Sequence, residues 1–132
     1  MRIMIDTNII ISLVVFNSHS LKKAVTNICY KYQLVLCTYI IDELNEVVKN
    51  KFPSKQSSLD DFLSKTPFEL QYTPKGIPNI PEIEMRDEKD KPILYSAIIA
   101  NVDILITGDK DFHNLDIEKP EIISANEFLN KF

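Results

Sequence analysis

Short apolar, β-branched runs that stop at acidic residues punctuate this chain, and that pattern constrains the fold more than any other feature. In Ile104-Leu105-Ile106 three apolar residues suit a strand buried on both faces; Gly108 then breaks the run, and Asp109 and Asp111 follow at once. The chain start repeats the design: Arg2-Ile3-Met4-Ile5 ends in Asp6-Thr7-Asn8. Leu34-Val35-Leu36-Cys37 and Glu121-Ile122-Ile123 read as two more short strands. Stretches of helical periodicity separate these runs, and such alternation predicts an α/β fold with a central, mainly parallel sheet. In an open sheet of that kind chemistry lies just outside the carboxyl ends of the strands, which makes Asp6 and Asp109 site candidates by position alone.

The helical stretches carry their own signals. After Ser20, a good N-cap, Leu21, Ala24, Val25, Ile28, Cys29 and Tyr32 fall on one helical face. Thr38 can cap a helix reaching to about Phe52, where Pro53 ends it; its apolar stripe is Ile40, Ile41, Leu44, Val47, Val48 and Phe52. At about 100° per residue, Glu43 lies at the margin of that stripe while Asp42 and Glu46 point away. Glu43 is therefore the acid of this helix best placed to face inward, with a boundary carboxylate turned to water as the plain alternative. A short helix is expected over 57–65 and a strand over 68–72, and the Pro-rich residues 73–81 read as a loop. Asp90 stands where another helix begins, because Pro92 suits a first turn and Ile93, Leu94, Ala97 and Ile98 follow at helical spacing. Ser124-Ala125-Asn126-Glu127 matches a capping box that opens a terminal helix. Residues 9–15 are the one conflict, since propensity alone makes this β-branched run a strand.

With 132 residues, 45% of them hydrophobic, the chain is long enough to bury a core and is expected to form a single domain over 1–132. Its two cysteines, Cys29 and Cys37, lie in apolar contexts without metal-ligand spacing and read as buried, reduced thiols. The first residues lead straight into a strand and no apolar run approaches a membrane span, so no membrane association and a cytoplasmic location are expected. A net charge of −4 argues against a broad nucleic-acid-coating surface but leaves room for local phosphate contacts. Lys89, Lys91 and Lys110 flank the acidic loops and are the candidates, against the plain reading of solvated loop-edge lysines.

Two strands that each deliver an aspartate, plus an aspartate at a helix entry, converge if the strands are parallel neighbours. Carboxylates gathered in this way repel one another and raise each other's pKa. A divalent cation removes that cost, and hard oxygen donors suit Mg²⁺ or Mn²⁺. No serine–histidine or cysteine–histidine set accompanies them, and neither His19 nor His113 has a nucleophile nearby in sequence.

In Asp6-Thr7-Asn8, Glu43, Asp87-Glu88-Lys89-Asp90 and Thr107-Gly108-Asp109-Lys110-Asp111-Phe112, taken together and in this order, the chain resembles the PIN-domain family. These are ribonucleases common among the toxins of prokaryotic toxin–antitoxin pairs. The resemblance implies a three-layer α/β/α sandwich, with a helix directly after Asp6-Thr7-Asn8 in place of the strand that propensity favours over 9–15. It implies that Asp6, Glu43, Asp90 and Asp109 form an acidic quartet holding one or two Mg²⁺ or Mn²⁺ ions, with Asp111 auxiliary. Thr7 and Thr107 then orient carboxylates or bound water, and Asn8 and Asp87 support the same centre. Asp90 is preferred to Asp87 as the ligand because it sits at the helix entry, where its plain role is an N-cap.

The activity implied is metal-dependent hydrolysis of RNA phosphodiester bonds. An antitoxin protein and a homodimer are the implied partners. A receiver- or phosphatase-type aspartate at the end of strand one is a poorer fit, because Thr7-Asn8 and the distant Glu43 do not belong to those sites. A catalytically silent PIN-like module that binds RNA or protein is the rival from another class, and metal-dependent cleavage separates the two.

Overall fold

The computed structural model describes residues 1–75 and 91–132. In chain order its elements are β1 (Arg2–Ile5), α1 (Thr7–Val14), α2 (His19–Lys31), β2 (Gln33–Cys37), α3 (Thr38–Lys51), a 3-10 turn (Pro53–Lys55), α4 (Gln56–Lys65) and β3 (Glu69–Gln71). After the undescribed segment come α5 (Lys91–Ile99), β4 (Ile104–Ile106), α6 (Lys110–His113), β5 (Glu121–Ile123) and α7 (Ala125–Lys131).

The strands form one sheet in the order β3-β2-β1-β4-β5, and every adjacent pair is parallel. Ile3 pairs with Leu34 on one side and with Ile104 on the other. The three central strands are apolar and buried from Ile3 to Ile5, Leu34 to Cys37 and Ile104 to Ile106, as strands covered on both faces must be. Right-handed crossovers put the β1–β2 and β2–β3 connections, which carry α1 to α4, on one face of the sheet. The β3–β4 and β4–β5 connections, with α5 and α6, take the other, giving a three-layer α/β/α sandwich. Within the first layer α1 packs on α2, α3 and α4, and α7 returns against α2. Truncating a central residue such as Ile40, Leu44 or Phe128, all fully buried, costs about 2–5 kcal/mol.

The chain leaves β1 toward β2 but leaves β4 toward β5, so the neighbours β1 and β4 mark the point where the winding reverses. A crevice opens there at the carboxyl ends of the strands.

Local details depart from sequence expectation in instructive ways. Residues 9–15 are helical because Asp6 caps α1 and Ile10, Ile11, Leu13 and Val14 bury one face of it; packing overrides β propensity. Ser18, not Ser20, caps α2, accepting from the Leu21 amide at 3.4 Å, which lets the helix begin one residue before Ser20. Thr38 does not cap α3: it is the first helical residue, and Cys37 holds the cap position without a side-chain bond. Cys37 is buried, whereas Cys29 is only half-buried, its Sγ 3.8 Å from the Pro67 carbonyl. The capping box at Ser124 and Glu127 is present as expected. Among the described residues no helix is long and apolar enough to cross a membrane.

Candidate active site

Asp6 is the first residue past β1, and its amide donates to the Ile106 carbonyl at the end of β4 (3.0 Å), which fixes it at the reversal point. Its extended backbone makes it the N-cap of α1. Both carboxylate oxygens are engaged. Oδ1 accepts from the Thr7 amide at 2.6 Å, and Oδ2 accepts from the Thr107 hydroxyl at 2.8 Å. The same Thr107 Oγ1 accepts from the Asp109 amide at 3.0 Å, so one buried hydroxyl ties the end of β1 to the loop after β4. Asp109 in turn caps α6, its Oδ1 accepting from the Asp111 amide at 2.9 Å.

Asp6 is only 4% exposed, and burial is the main reason that its pKa is raised above the ordinary carboxylate value. The bonds from Thr107 and Thr7 pull the other way, while the negative charges of Glu43 and Asp109 push it further up. Three acids from three separate elements therefore share one electrostatic field. Glu43 is half-buried on α3 while Asp42 and Glu46 are exposed, as helical periodicity requires. It also lines a cavity of about 380 Å³ with Tyr39, Glu46, Val47, Asn50 and Lys51.

The remaining predicted residues divide. Thr7 is buried, and its Oγ1 has no hydrogen-bond partner among the described residues, a defect costing about 1–3 kcal/mol if nothing else occupies it. Asp111 is half-buried, Lys110 and Asn8 are exposed, and Lys91 opens α5 half-buried. The structure thus brings Asp6, Thr7, Thr107 and Asp109 together, with Glu43 in electrostatic reach. Asp87, Lys89 and Asp90 lie outside the described residues. His113 Nε2 lies 2.8 Å from the Thr107 carbonyl and braces the loop after β4.

Among the described residues no group of three or more His, Cys, Asp or Glu is arranged to hold a metal ion. The donor chemistry nonetheless fits a hard cation: the side chains are carboxylates and hydroxyls, the carboxylate charges are mutually repulsive, and the buried Thr7 hydroxyl has no partner among the described residues.

Sequence reasoning missed a further set at this edge of the sheet, formed by Thr38, Thr73 and Ser96. The available signal was Ser96 itself, a hydroxyl on the buried face of an Ile- and Ala-rich helix, which has to find a partner.

The model of the PIN domain matches residues 2–111. A chain of the crystal structure of VapBC2 from Rickettsia felis bound to a DNA fragment from their promoter superposes with a TM-score of 0.69 at 21% identity, covering 94% of this chain and 98% of that one. At that identity the likeness is one of fold. No match to a curated protein was found. The family match spans β1 through the start of α6 and includes every acid of the described site, and the chain belongs to the PIN-domain family.

Proposed function

We propose that this chain is a metal-dependent endoribonuclease, a single domain over 1–132, and the toxin of a toxin–antitoxin pair. PIN domains are generally nucleases, and one observation carries the reading to this site. Asp6 is buried at the reversal point of the sheet, where Glu43 and Asp109 repel its charge. Folding that tolerates such an arrangement points to a cation that offsets it.

In this reading Asp6, Glu43, Asp90 and Asp109 would hold one or two Mg²⁺ or Mn²⁺ ions, with Asp111 and Asp87 in support. Bound there, such an ion would lower the pKa of a water so that hydroxide is available to attack phosphorus, and would offset charge on the phosphoryl group. The protein's own residues do the rest. The Thr107 hydroxyl and the Thr7 amide each occupy one lone pair of the Asp6 carboxylate and fix its plane. The Asp109 amide, held by Thr107 Oγ1, sets the loop that presents the Asp109 and Asp111 carboxylates. Thr7 Oγ1 offers its hydroxyl to the attacking water or a phosphate oxygen. One carboxylate of the set accepts the water's proton. Lys89, Lys91 and Lys110 contact flanking phosphates, and departure of the 3′ oxygen leaves a 5′-phosphate and a 3′-hydroxyl.

The likeness to VapBC2, the structure of a toxin–antitoxin complex, supports an antitoxin as partner. A homodimer and a cytoplasmic location accompany this reading. The test is cleavage of a panel of single-stranded and structured RNAs by wild type, Asp6→Asn and Asp109→Asn, each with Mn²⁺, Mg²⁺ or EDTA. Cleavage by wild type alone, abolished by EDTA, is expected. Activity persisting in both variants would move the chemistry elsewhere, and a folded wild type inert with both metals would favour the silent binding module.

A further inference from the structure

The amino end of α3 has an unusual cap. Cys37 at the cap position offers no side-chain bond, yet the Tyr39 amide is not left open: it donates to Thr73 Oγ1 at 3.0 Å. The Thr73 amide returns the contact, donating to Thr38 Oγ1 at 3.0 Å. This reciprocal pair does the work of a capping box, but its second half comes from the segment after β3, 35 residues away in sequence.

Thr73 also reaches the other helix layer. Ser96 Oγ, fully buried on α5, lies 3.1 Å from Thr73 Oγ1 and 2.7 Å from the Pro92 carbonyl. The Ser96 hydroxyl is the donor in both contacts, shared between the Thr73 oxygen and the Pro92 carbonyl. The contacts form one line across the sheet end: Tyr39 amide to Thr73 Oγ1, Ser96 Oγ to Thr73 Oγ1, and Ser96 Oγ to the Pro92 carbonyl. With Ser96 buried and Thr73 half-buried, this is a partly buried network joining two helix ends rather than a single surface contact.

The two ends of this line matter for the site. Tyr39 is one helical turn before Glu43 on α3, and Pro92 lies in the first turn of α5, two residues after Asp90. We infer that Thr73 and Ser96 are positioning residues that lock the amino ends of α3 and α5 together and so fix where Glu43 stands relative to the first turn of α5. This inference rests on the nuclease reading above. Neither residue touches substrate; each acts through the helix that it holds. A carboxylate displaced by about 1 Å at a reacting centre costs on the order of a hundredfold in rate, so a loose clamp shows in turnover.

The experiment compares wild type with Thr73→Val, Thr73→Ser, Ser96→Ala and, as a control at the opposite edge of the sheet, Asp103→Ala. Two readouts are taken on folded protein: steady-state RNA cleavage, and Mn²⁺ affinity by titration. Thr73→Val is expected to lower kcat about tenfold or more with KM within about twofold, and to weaken Mn²⁺ binding. Ser96→Ala follows in the same direction by less, Thr73→Ser restores both, and Asp103→Ala leaves both unchanged. Wild-type turnover and Mn²⁺ affinity in Thr73→Val overturn the inference, as does an equal loss in Asp103→Ala at matched loss of thermal stability. A wild type that binds Mn²⁺ without cleaving removes the nuclease reading, and the affinities of the variants then decide the clamp alone. One that neither binds nor cleaves overturns both.

Discussion

At the amino edge of the sheet, Asp103 accepts from the Arg2 amide at 2.7 Å and pairs with Lys119 at 3.2 Å; at the carboxyl edge, Asp6 is buried and faces two other acids. The strands that carry them, β4 and β1, are hydrogen-bonded neighbours. The amino edge is closed in on itself. Arg2 Nε donates to the Ala100 carbonyl at 2.8 Å and its guanidinium pairs with Glu69, Lys119 also reaches Asn101 Oδ1 at 2.9 Å, and Lys131 pairs with Glu121 at 2.9 Å. The Arg2 amide, with Lys119 assisting, holds the Asp103 carboxyl below its ordinary value, whereas burial and like charge hold that of Asp6 above it. One edge satisfies its charges with its own chain. The other gathers like charges whose mutual repulsion the described residues do not offset, and the proposed function draws on that contrast.

The largest effect that can break the comparison comes from Asp6→Asn. It should remove RNA cleavage by at least about a hundredfold, the upper range seen even for groups that merely support a metal ligand. The fold should survive, because an amide still bonds Thr7 and Thr107. Near-wild-type cleavage by this variant would mean that the carboxyl edge is not the reacting centre.

Thr107→Val tests the hydroxyl that ties Asp6 to Asp109. A loss of about 10–100-fold in turnover is expected, read as kcat at saturating metal. A variant with unaltered kcat would reduce Thr107 to packing.

Asp103→Ala sharpens the other side. Cleavage should be unchanged, while denaturant unfolding should show a loss of about 1 kcal/mol, kept small by solvent screening at this partly exposed site. Lost cleavage at retained stability would erase the distinction between the edges.

The two aspartates also bend the stability curve in opposite directions. The raised pKa of Asp6 means that its contribution is full below the ordinary 3.8 and is lost as pH rises through the folded value. The lowered pKa of Asp103 means that its contribution is present above 3.8 and is lost as pH falls through its folded value. Unfolding followed across pH without divalent ions should show Asp6→Asn flattening the fall in stability that begins above pH 3.8, and Asp103→Ala flattening the fall below it. Parallel curves for wild type and both variants would contradict the assignment.

Much of the carboxyl edge was legible in the chain. Short apolar strands, Asp6 and Asp109 immediately after two of them, and the periodic placement of Glu43 on α3 are local signals. Parallel pairing of β1 with β4 brings Asp6 and Asp109 to neighbouring strand ends. The amino edge was not legible, since Arg2 and Asp103 are 101 residues apart and no local pattern links them. The same reason hid the cap of α3. Thr38 has the chemistry of an N-cap, but Thr73 supplies the bond from across the sheet end, and helical registry slides by one residue to suit. Ser18 displaced Ser20 by a similar local competition between two good caps. Asp87, Lys89 and Asp90, read from the sequence as part of the centre, fall outside the described residues.

The most direct measurement of the central claim is thermal unfolding of wild type and Asp6→Asn across a Mn²⁺ titration. If the carboxyl edge holds a cation, wild type gains stability with concentration, by about 2.7 kcal/mol at a hundredfold excess over Kd, and Asp6→Asn gains little. Wild type that ignores Mn²⁺, or a variant that responds equally, would contradict the account.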